Sequence, residues 1–507
     1  MIFRIKSILV LLSFSAYQIF RDPRGFYNKV QAKLGRKITA ARSYSRTEQL
    51  EWLGEYSEAL ARPEEPDQSL FGDARNRMAR RRSQMLLDWL NQRIEPGESV
   101  TKVSDTDAIK VLYFLGNSLP HTNSGYSKRS QAILNALNDV GVRAWGQTRI
   151  GYPAVVGQFA RGESESVNEV TYRRMMPAVF PRTVEGEVEQ AVQSLTEEAL
   201  ACGATLIHTT TGFPNAVVAS KAAKRLGIPW VYEQRGELQK TWLTQRGPDG
   251  LEREEASEHF VRWSEKELEA ARAASGVVVL SQVSKDILLA QGIPSFKICI
   301  APNAAEDELF DAKITSADAR EITGVSGDFV VGTLSALVPY EGLQAIVEAL
   351  PRLPSRFTAV IVGDGVELPA LKDLAKDLGV EARVRFVGKV PQDEVVPWYK
   401  SLDIFVVPRL DCPVCRTVTP VKPLAAMALG VPVIASDLPA LREVTGNLAE
   451  YFEPGNIDAF VASLDRVASG KYPVEEARNW ARDRTWNRVG YILKEFYTSV
   501  LQNDLES

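Results

Sequence analysis

Residues 111–115 read Val-Leu-Tyr-Phe-Leu, apolar at every position. A strand with one face in water alternates polar and apolar, so an unbroken run belongs in a parallel sheet covered on both sides. The pattern recurs. After 111–115 comes a helical stretch with Ile133, Leu134, Leu137 and Val140, closed by Gly141. Leu206 and Ile207 lead into His208, and a helix over 216–226 stops at Gly227. Strand-like runs follow at 228–232, 277–280 and 298–301. Beyond Asn303 the alternation restarts, with strands at 329–334, 357–362, 383–387, 404–407 and 431–435. Helices at 343–350, 367–378 and 393–400 separate the first four of these. Strand-to-strand spacings of roughly 30 residues are those of βαβ units. The fold class is therefore α/β, with two doubly wound domains in series at 107–308 and 309–480. Such a pair implies a cleft, with ligands beyond the carboxyl ends of the strands.

Residues 1–106 carry no strong strand signal and read as a helical N-terminal extension, on patches such as Met78, Met85, Leu86, Trp89 and Leu90. Polar breaks fall near 63–66 and 96–106. The tail 481–507 reads as a closing helix. Within the extension, the mostly apolar run 8–20 is flanked by Arg4, Lys6, Arg21 and Arg24 and interrupted by Ser13, Ser15 and Gln18. It falls short of the ~18 apolar residues a spanning helix needs, and no small-x-small cleavage site follows it. Two roles stay open: peripheral contact with anionic lipid, helped by Arg75, Arg77 and Arg80 to Arg82, or packing on the main body.

Composition removes several classes. With 45% hydrophobic and 24% charged residues the chain is globular, and a net charge of −4 argues against nucleic acid as a partner. Four cysteines are too few for a disulfide scaffold and suit a reducing, cytoplasmic setting, at most peripheral to the inner face of a membrane. Cys412-Pro-Val-Cys415 is a C-x-x-C. A zinc site would need a second ligand pair, and a redox role would need the pair at a helix start after a strand in a thioredoxin-like fold. The simplest expectation is two loop cysteines. His121, His208 and His259 are the only histidines, so no histidine-built metal centre is expected.

Chemistry should sit in the loops at strand ends. Gly363-Asp364-Gly365 follows a strand and opens a helix, a turn that allows close backbone approach. Ser124, Gly125 and Tyr126 stand at a helix N-terminus, where free N–H groups favour an anion or simply receive a cap. His208 is placed at the end of its strand. Glu233 and Arg235 end the next one, as ligand-binding groups or as an ion pair that neutralises itself.

The segment 403–444 carries the strongest motif. An apolar strand runs into Pro408-Arg409-Leu410-Asp411, then a Pro- and Thr-rich loop, Thr419-Pro420-Val421-Lys422-Pro423-Leu424, and a short helix ending at Gly430 before the strand at 431–435. This resembles the nucleotide-sugar site of the retaining glycosyltransferase family 4, of GT-B fold with two Rossmann-like domains. Val338-Pro339-Tyr340-Glu341-Gly342-Leu343 and the P-R-L-D stretch resemble one bacterial subgroup. The resemblance covers about 107–490, and it implies that the closing helix, 486–501 within the tail 481–507, crosses back to the first domain. It implies that Gly363, Asp364, Gly365, Gly388, Lys389 and Val390 lie on the donor nucleotide, the last three against its base. It also implies His208, Glu233 and Arg235 beside the transferred sugar or acceptor, and Ser124, Gly125 and Tyr126 in a diphosphate or acceptor loop. By the same resemblance the expected donor is a nucleotide-diphosphate sugar, with no further cofactor and no metal, and the expected acceptor is a glycan, a lipid-linked or a small molecule, in cell-surface polysaccharide assembly.

The chain departs from the family at four places. Thr417 and Ala425 stand where two glutamates, eight positions apart, are usual, and Ala336 and Glu341 stand where an Arg and a Lys usually meet the diphosphate. Arg409 and Lys422, with Thr419 nearby and Arg416 third, are the cations expected to substitute. Loss of the glutamate that binds the donor ribose costs ~1.5–3 kcal/mol. Two functions stay open: hexose transfer with retention, or a catalytically impaired scaffold partner of an active transferase. A nucleotide-sugar epimerase on the same fold matches the 408–424 segment less well.

Overall fold

In the computed structural model, which describes residues 8–10, 45–62, 72–97, 108–244, 255–391 and 394–502, the continuous apolar runs are strands buried on both faces. Contacts divide the chain into two units. The first is Met1–Val278, Gln291–Cys299 and Leu493–Ser507, and the second is Val279–Ala290 and Ile300–Ile492.

The first unit is built on β1 (Lys110–Leu115), β2 (Arg143–Thr148), β3 (Ser164–Val167), β4 (Val170–Arg174), β5 (Leu206–Thr210), β6 (Trp230–Gln234), β7 (Gly276–Val279) and β8 (Ile298–Ile300). Their order is β3-β4-β2-β1-β5-β6-β7-β8. β3 runs antiparallel to β4 in a hairpin, while the pairs β4–β2, β2–β1, β1–β5 and β5–β6 are parallel. Asn168 and Glu169 both take positive φ at its turn, 44° and 68°, which suits the right-handed twist of a two-residue hairpin. Strands are added on one side of β1 and then on the other, so the direction switches between β1 and β5.

The second unit holds β9 (Phe329–Leu334), β10 (Phe357–Val362), β11 (Val384–Gly388), β12 (Ile404–Val407), β13 (Val433–Ser436) and β14 (Glu450–Phe452). The order is β11-β10-β9-β12-β13-β14, every pair parallel. This is a dinucleotide-fold order, with its switch point between β9 and β12. One apolar cluster lies under each face. Phe405, Val407 and Met427 belong to one, and Phe357, Ile404 and Ile434 to the other. Phe405 and Ile404 are neighbours in sequence and face opposite ways, as the strand period of two requires.

No described strand precedes β1. The helices Arg46–Leu53, Tyr56–Ala61 and Gly72–Leu90 fill that stretch, the first opened by a Ser45/Glu48 capping box. They attach to the first unit: Tyr56 OH lies 2.7 Å from His259 Nδ1, Gly97 N donates to Ala273 O at 2.6 Å and Lys221 Nζ to Gln92 Oε1 at 2.9 Å. Of the run 8–20 only 8–10 is described, as helix, and 63–70 and 98–106 also lie outside the described residues. No described helix is long and apolar enough to cross a membrane.

Four expectations need correction. β5 continues to Thr210 because Thr209 and Thr210 keep pairing with β6, so His208 lies inside the strand, not at its end. β6 begins at Trp230, since Pro229 has no N–H to place in the ladder. The Pro- and Thr-rich loop contains a short helix, Pro413–Thr417, whose Pro413 stands at a first-turn position where its missing N–H costs nothing. The strands β2, β3, β4 and β14 were not expected; Arg143, Gln147, Arg173 and Glu450 break the apolar runs that announced the others.

Candidate functional site

At the switch point of the second unit three loops meet. The segment after β9 lies against the segment after β10, with Ser335 N donating to Val362 O at 2.9 Å and Leu337 N to Asp364 O at 3.0 Å. A Cβ on Gly363 would stand 1.7 Å from Ser335 O, and one on Gly365 would stand 2.2 Å from Leu337 O. The two glycines thus serve contact between protein loops. Asp364, between them, is exposed, and its Oδ1 accepts from Gly365 N at 2.8 Å. Gly342 joins the third loop, where its Cβ would meet Pro408 O at 2.0 Å.

These contacts place Glu341 and Arg409 side by side. Glu341 Oε1 lies 2.8 Å from Arg409 Nη2, and both side chains are buried. Arg409 Nη1 donates to Val418 O at 2.9 Å, and Lys422 Nζ donates to Ser335 Oγ at 2.6 Å. Burial alone would raise the Glu341 carboxyl, but Arg409 and then Lys422 outweigh it and hold its pKa at about 2. Burial also works against the Arg409 charge, and Glu341 more than restores it. Arg409 is therefore already paired. Its Nε and the Thr419 Oγ1 are buried with no hydrogen-bond partner among the described residues, which native interiors seldom tolerate without a reason. Arg416 is exposed and bound to Asp411 at 2.5 Å. Ala425 is half-buried one turn after Lys422 in the helix Lys422–Ala428, and Thr417 is buried at the end of Pro413–Thr417. Gly388 closes β11 with φ 83°, and its carbonyl accepts from Gly363 N at 2.8 Å. Lys389 is exposed beside it and Val390 packs on the core.

The first unit gathers its chemistry on one face of β1, β5 and β6. Tyr113 and His208 are register partners and stack at 4.1 Å between ring centroids. His208 Nε2 lies 3.4 Å from Glu233 Oε2, and its Nδ1 lies 2.7 Å from Tyr497 OH. Glu233 takes Arg129 on one oxygen at 2.8 Å and Arg235 on the other at 2.6 Å, with the Tyr113 hydroxyl as a further donor. Arg235 also donates to Tyr126 O at 3.0 Å and Ser130 Oγ at 2.7 Å. Burial would raise the Glu233 carboxyl, but Arg235 and Arg129 hold it well below the usual carboxylate range; burial pushes the His208 imidazole down and keeps it neutral. His208 and Glu233 are 0% exposed. Within this unit Arg235 ties the network to the Ser124–Tyr126 helix start, through Nη1 to Tyr126 O, and its own backbone N donates to Thr211 Oγ1 at 2.8 Å.

Ser124 caps the helix Gly125–Asp139, its Oγ accepting from Ser127 N at 3.3 Å. Nothing crowds Gly125, and Tyr126 is 44% exposed. Behind this cluster Glu267 accepts from Phe213 N at 2.8 Å, from Trp263 Nε1 at 3.1 Å and from the Tyr232 hydroxyl. Burial raises its carboxyl to about 6 against those three donors. Tyr113, Arg129, Glu267, Tyr497 and Ser335 were not anticipated. Arg129 carried a signal, since it shares the helix stripe of Ile133, Ala136 and Val140, where a charge must find a buried partner. Tyr497 carried none, lying far from His208 in sequence. Among the described residues no three His, Cys, Asp or Glu side chains converge as metal ligands would.

Comparison with known proteins adds two family matches. Residues 125–304 match the description "Glycosyl transferase 4-like domain" and residues 328–469 match "Glycosyl transferases group 1". An uncharacterized glycosyltransferase of Methanocaldococcus jannaschii is 26% identical over 45% of this chain and 60% of its own length. A GDP-mannose-dependent alpha-(1-6)-phosphatidylinositol monomannoside mannosyltransferase of Mycolicibacterium smegmatis is 30% identical over 39% of this chain and 54% of its own. The chain spans about half the length of the curated relatives it matches. Among solved structures, Anabaena HepE in complex with UDP superposes with a TM-score of 0.58 at 19% identity, over 77% of this chain and 100% of that one. That likeness is one of fold.

Proposed function

We propose that this chain, whose family matches are to glycosyltransferases and whose fold is GT-B, moves a hexose from a nucleotide-diphosphate sugar to a glycan, lipid-linked or small-molecule acceptor with retention at the anomeric carbon. One observation carries this reading: the Glu341–Arg409–Lys422–Ser335 cluster at the switch point of the second sheet, where such folds hold nucleotides. A diphosphate leaving group gathers negative charge, and fixed donors that meet it are usually the largest catalytic contribution. Lys422 with Ser335 is the pair assigned to it, since Arg409 is neutralised by Glu341. Gly388, Lys389 and Val390 take the base, and Ser124, Gly125 and Tyr126 take the acceptor or the diphosphate. His208, Glu233 and Arg235 hold the first unit's face in shape for them. The Mycolicibacterium smegmatis relative, by its name a phosphatidylinositol monomannoside mannosyltransferase, supports a lipid-linked acceptor, and cell-surface glycan assembly is the pathway proposed.

A second reading, a scaffold partner of an active transferase, is favoured by the paired state of Arg409 together with Thr417 and Ala425 at the glutamate positions. Ala425→Glu separates the two. If the pocket serves a donor, the new carboxylate meets the ribose, and saturation-transfer NMR with UDP-, GDP- and dTDP-sugars reads a gain of up to ~10- to 150-fold in affinity. A loss of thermal stability with no gain in binding would favour the scaffold, because the carboxylate would then be buried unpaired.

A further inference from the structure

Between Arg409 and Val418, two residues joined by a hydrogen bond, the chain places two thiols on one helical turn. Cys412 caps the helix Pro413–Thr417, and its carbonyl accepts from Cys415 N at 3.0 Å and Arg416 N at 3.1 Å. The bond from Cys415 N to Cys412 O closes a turn whose end Cα atoms stand less than about 7 Å apart, a separation that overlaps the roughly 4.4–6.8 Å between the Cα atoms of a disulfide. Cys412 is half-buried and Cys415 is 0% exposed. The Cys415 thiol is within reach of the Cys412 sulfur and of Tyr340 O, the latter at 3.5 Å.

We propose that Cys412 and Cys415 form a reversible thiol–disulfide site, with Cys412 as the attacking thiol, Cys415 as the resolving thiol and a glutathione-type disulfide as the oxidant. Exposure assigns the roles: Cys412 is half-buried and open to a small disulfide, whereas Cys415 is fully buried. A hydrogen bond from Cys415, backbone N–H groups and the nearby Arg409 charge lower the Cys412 thiol against burial, and the same contact and burial push Cys415 up, which favours the thiolate, the attacking form, at Cys412. Cys202 differs: burial pushes its thiol up to about 11, and it donates to Glu198 O at 2.8 Å.

In the first step the Cys412 thiolate attacks one sulfur of the small disulfide, forming a mixed disulfide and expelling one small thiolate. That thiolate takes the proton from Cys415. The Cys415 sulfur then attacks the Cys412 sulfur and expels the second small thiolate, which is protonated by water. Two protein thiols are oxidised to one disulfide, and one small disulfide is reduced to two thiols. The bridge removes the S–H that faces Tyr340 O, next to Glu341, so it forms within the cluster that holds Arg409.

The test equilibrates the full chain with oxidised and reduced glutathione, alkylates remaining thiols and weighs the peptides. Under oxidising mixtures the number of alkylated cysteines should fall from four to two. The peptide bearing Cys412 and Cys415 should lose two hydrogens, and dithiothreitol should restore them. Cys415→Ser should trap glutathione on Cys412, and Cys412→Ser should take none. The proposal is overturned if wild-type protein keeps a mixed disulfide at Cys412, if all four cysteines remain alkylated, or if the bridge involves Cys202 or Cys299.

Discussion

Buried charge in this chain is balanced residue by residue, and each balance can be measured. Glu233 faces Arg129 and Arg235 with no exposed surface. Glu233→Gln leaves two buried guanidiniums without their carboxylate and should cost ~3–5 kcal/mol in urea unfolding; a cost under ~1 kcal/mol would show that the network does not hold the fold. Glu267 has the opposite displacement. Its folded pKa of about 6 lies above the ordinary 4.5, so between those values the folded chain binds more protons than the unfolded one. Stability supplied by this group falls as pH rises through that window, by about 2 kcal/mol. The difference in stability between wild type and Glu267→Gln should change by that amount from below pH 4.5 to above pH 6; a flat difference would refute it. Glu341, held at about 2, acts in a separate window: the stability it gives above pH 4.5 is lost as pH falls toward about 2. Sequence alone made Glu233, Arg235, Glu341 and Arg409 visible as charges at strand ends. It offered the Glu233–Arg235 ion pair as one reading, but not the Glu341–Arg409 pair, nor the arrival of Arg129 and Tyr113 at Glu233 from elements that only the fold brings near.

Among the elements, strands carried by a continuous apolar run were legible, and β2, β3, β4 and β14 were not. β1, β9, β10 and β12 are buried almost throughout, whereas Arg143 begins β2 exposed and Glu450 begins β14 half-buried. The β3–β4 hairpin stayed hidden because its turn is Asn168-Glu169, where Asn-Gly would have been the signal. Glycines in the donor-side loops were legible as turns, but what they accommodate was not. Gly363 and Gly388 both have positive φ, 141° and 83°. Only Gly363 has backbone against its missing Cβ; around Gly388 the space is open. Gly388→Ala should therefore cost only the left-handed strain of about 1–2 kcal/mol. Gly363→Ala adds a clash with Ser335 O and should cost clearly more. Equal costs in thermal unfolding would remove the argument that these loops are locked together.

For the whole molecule, the two doubly wound sheets follow from the order of apolar runs, and the tail's return to the first unit was expected from the family resemblance and not from any local pattern. Its residues from Leu493 belong to the first unit, where Phe496 crowds Gly276, Lys494 Nζ donates to Val140 O at 2.7 Å, and Tyr497 meets His208. Tyr497→Phe leaves His208 Nδ1 short of its hydroxyl partner and should destabilise the fold by ~1–3 kcal/mol, without touching any residue assigned to the donor. The central claim is that the second unit's switch point holds a nucleotide diphosphate through Lys422. Calorimetric titration of UDP, GDP and dTDP into wild type and Lys422→Ala tests it most directly. At least one nucleotide should bind the wild type, and the variant should bind it at least tenfold more weakly, a loss of about 1.4 kcal/mol, with its melting temperature nearly unchanged. Equal affinity in the two proteins, or no binding of any of the three to wild type, would contradict the account.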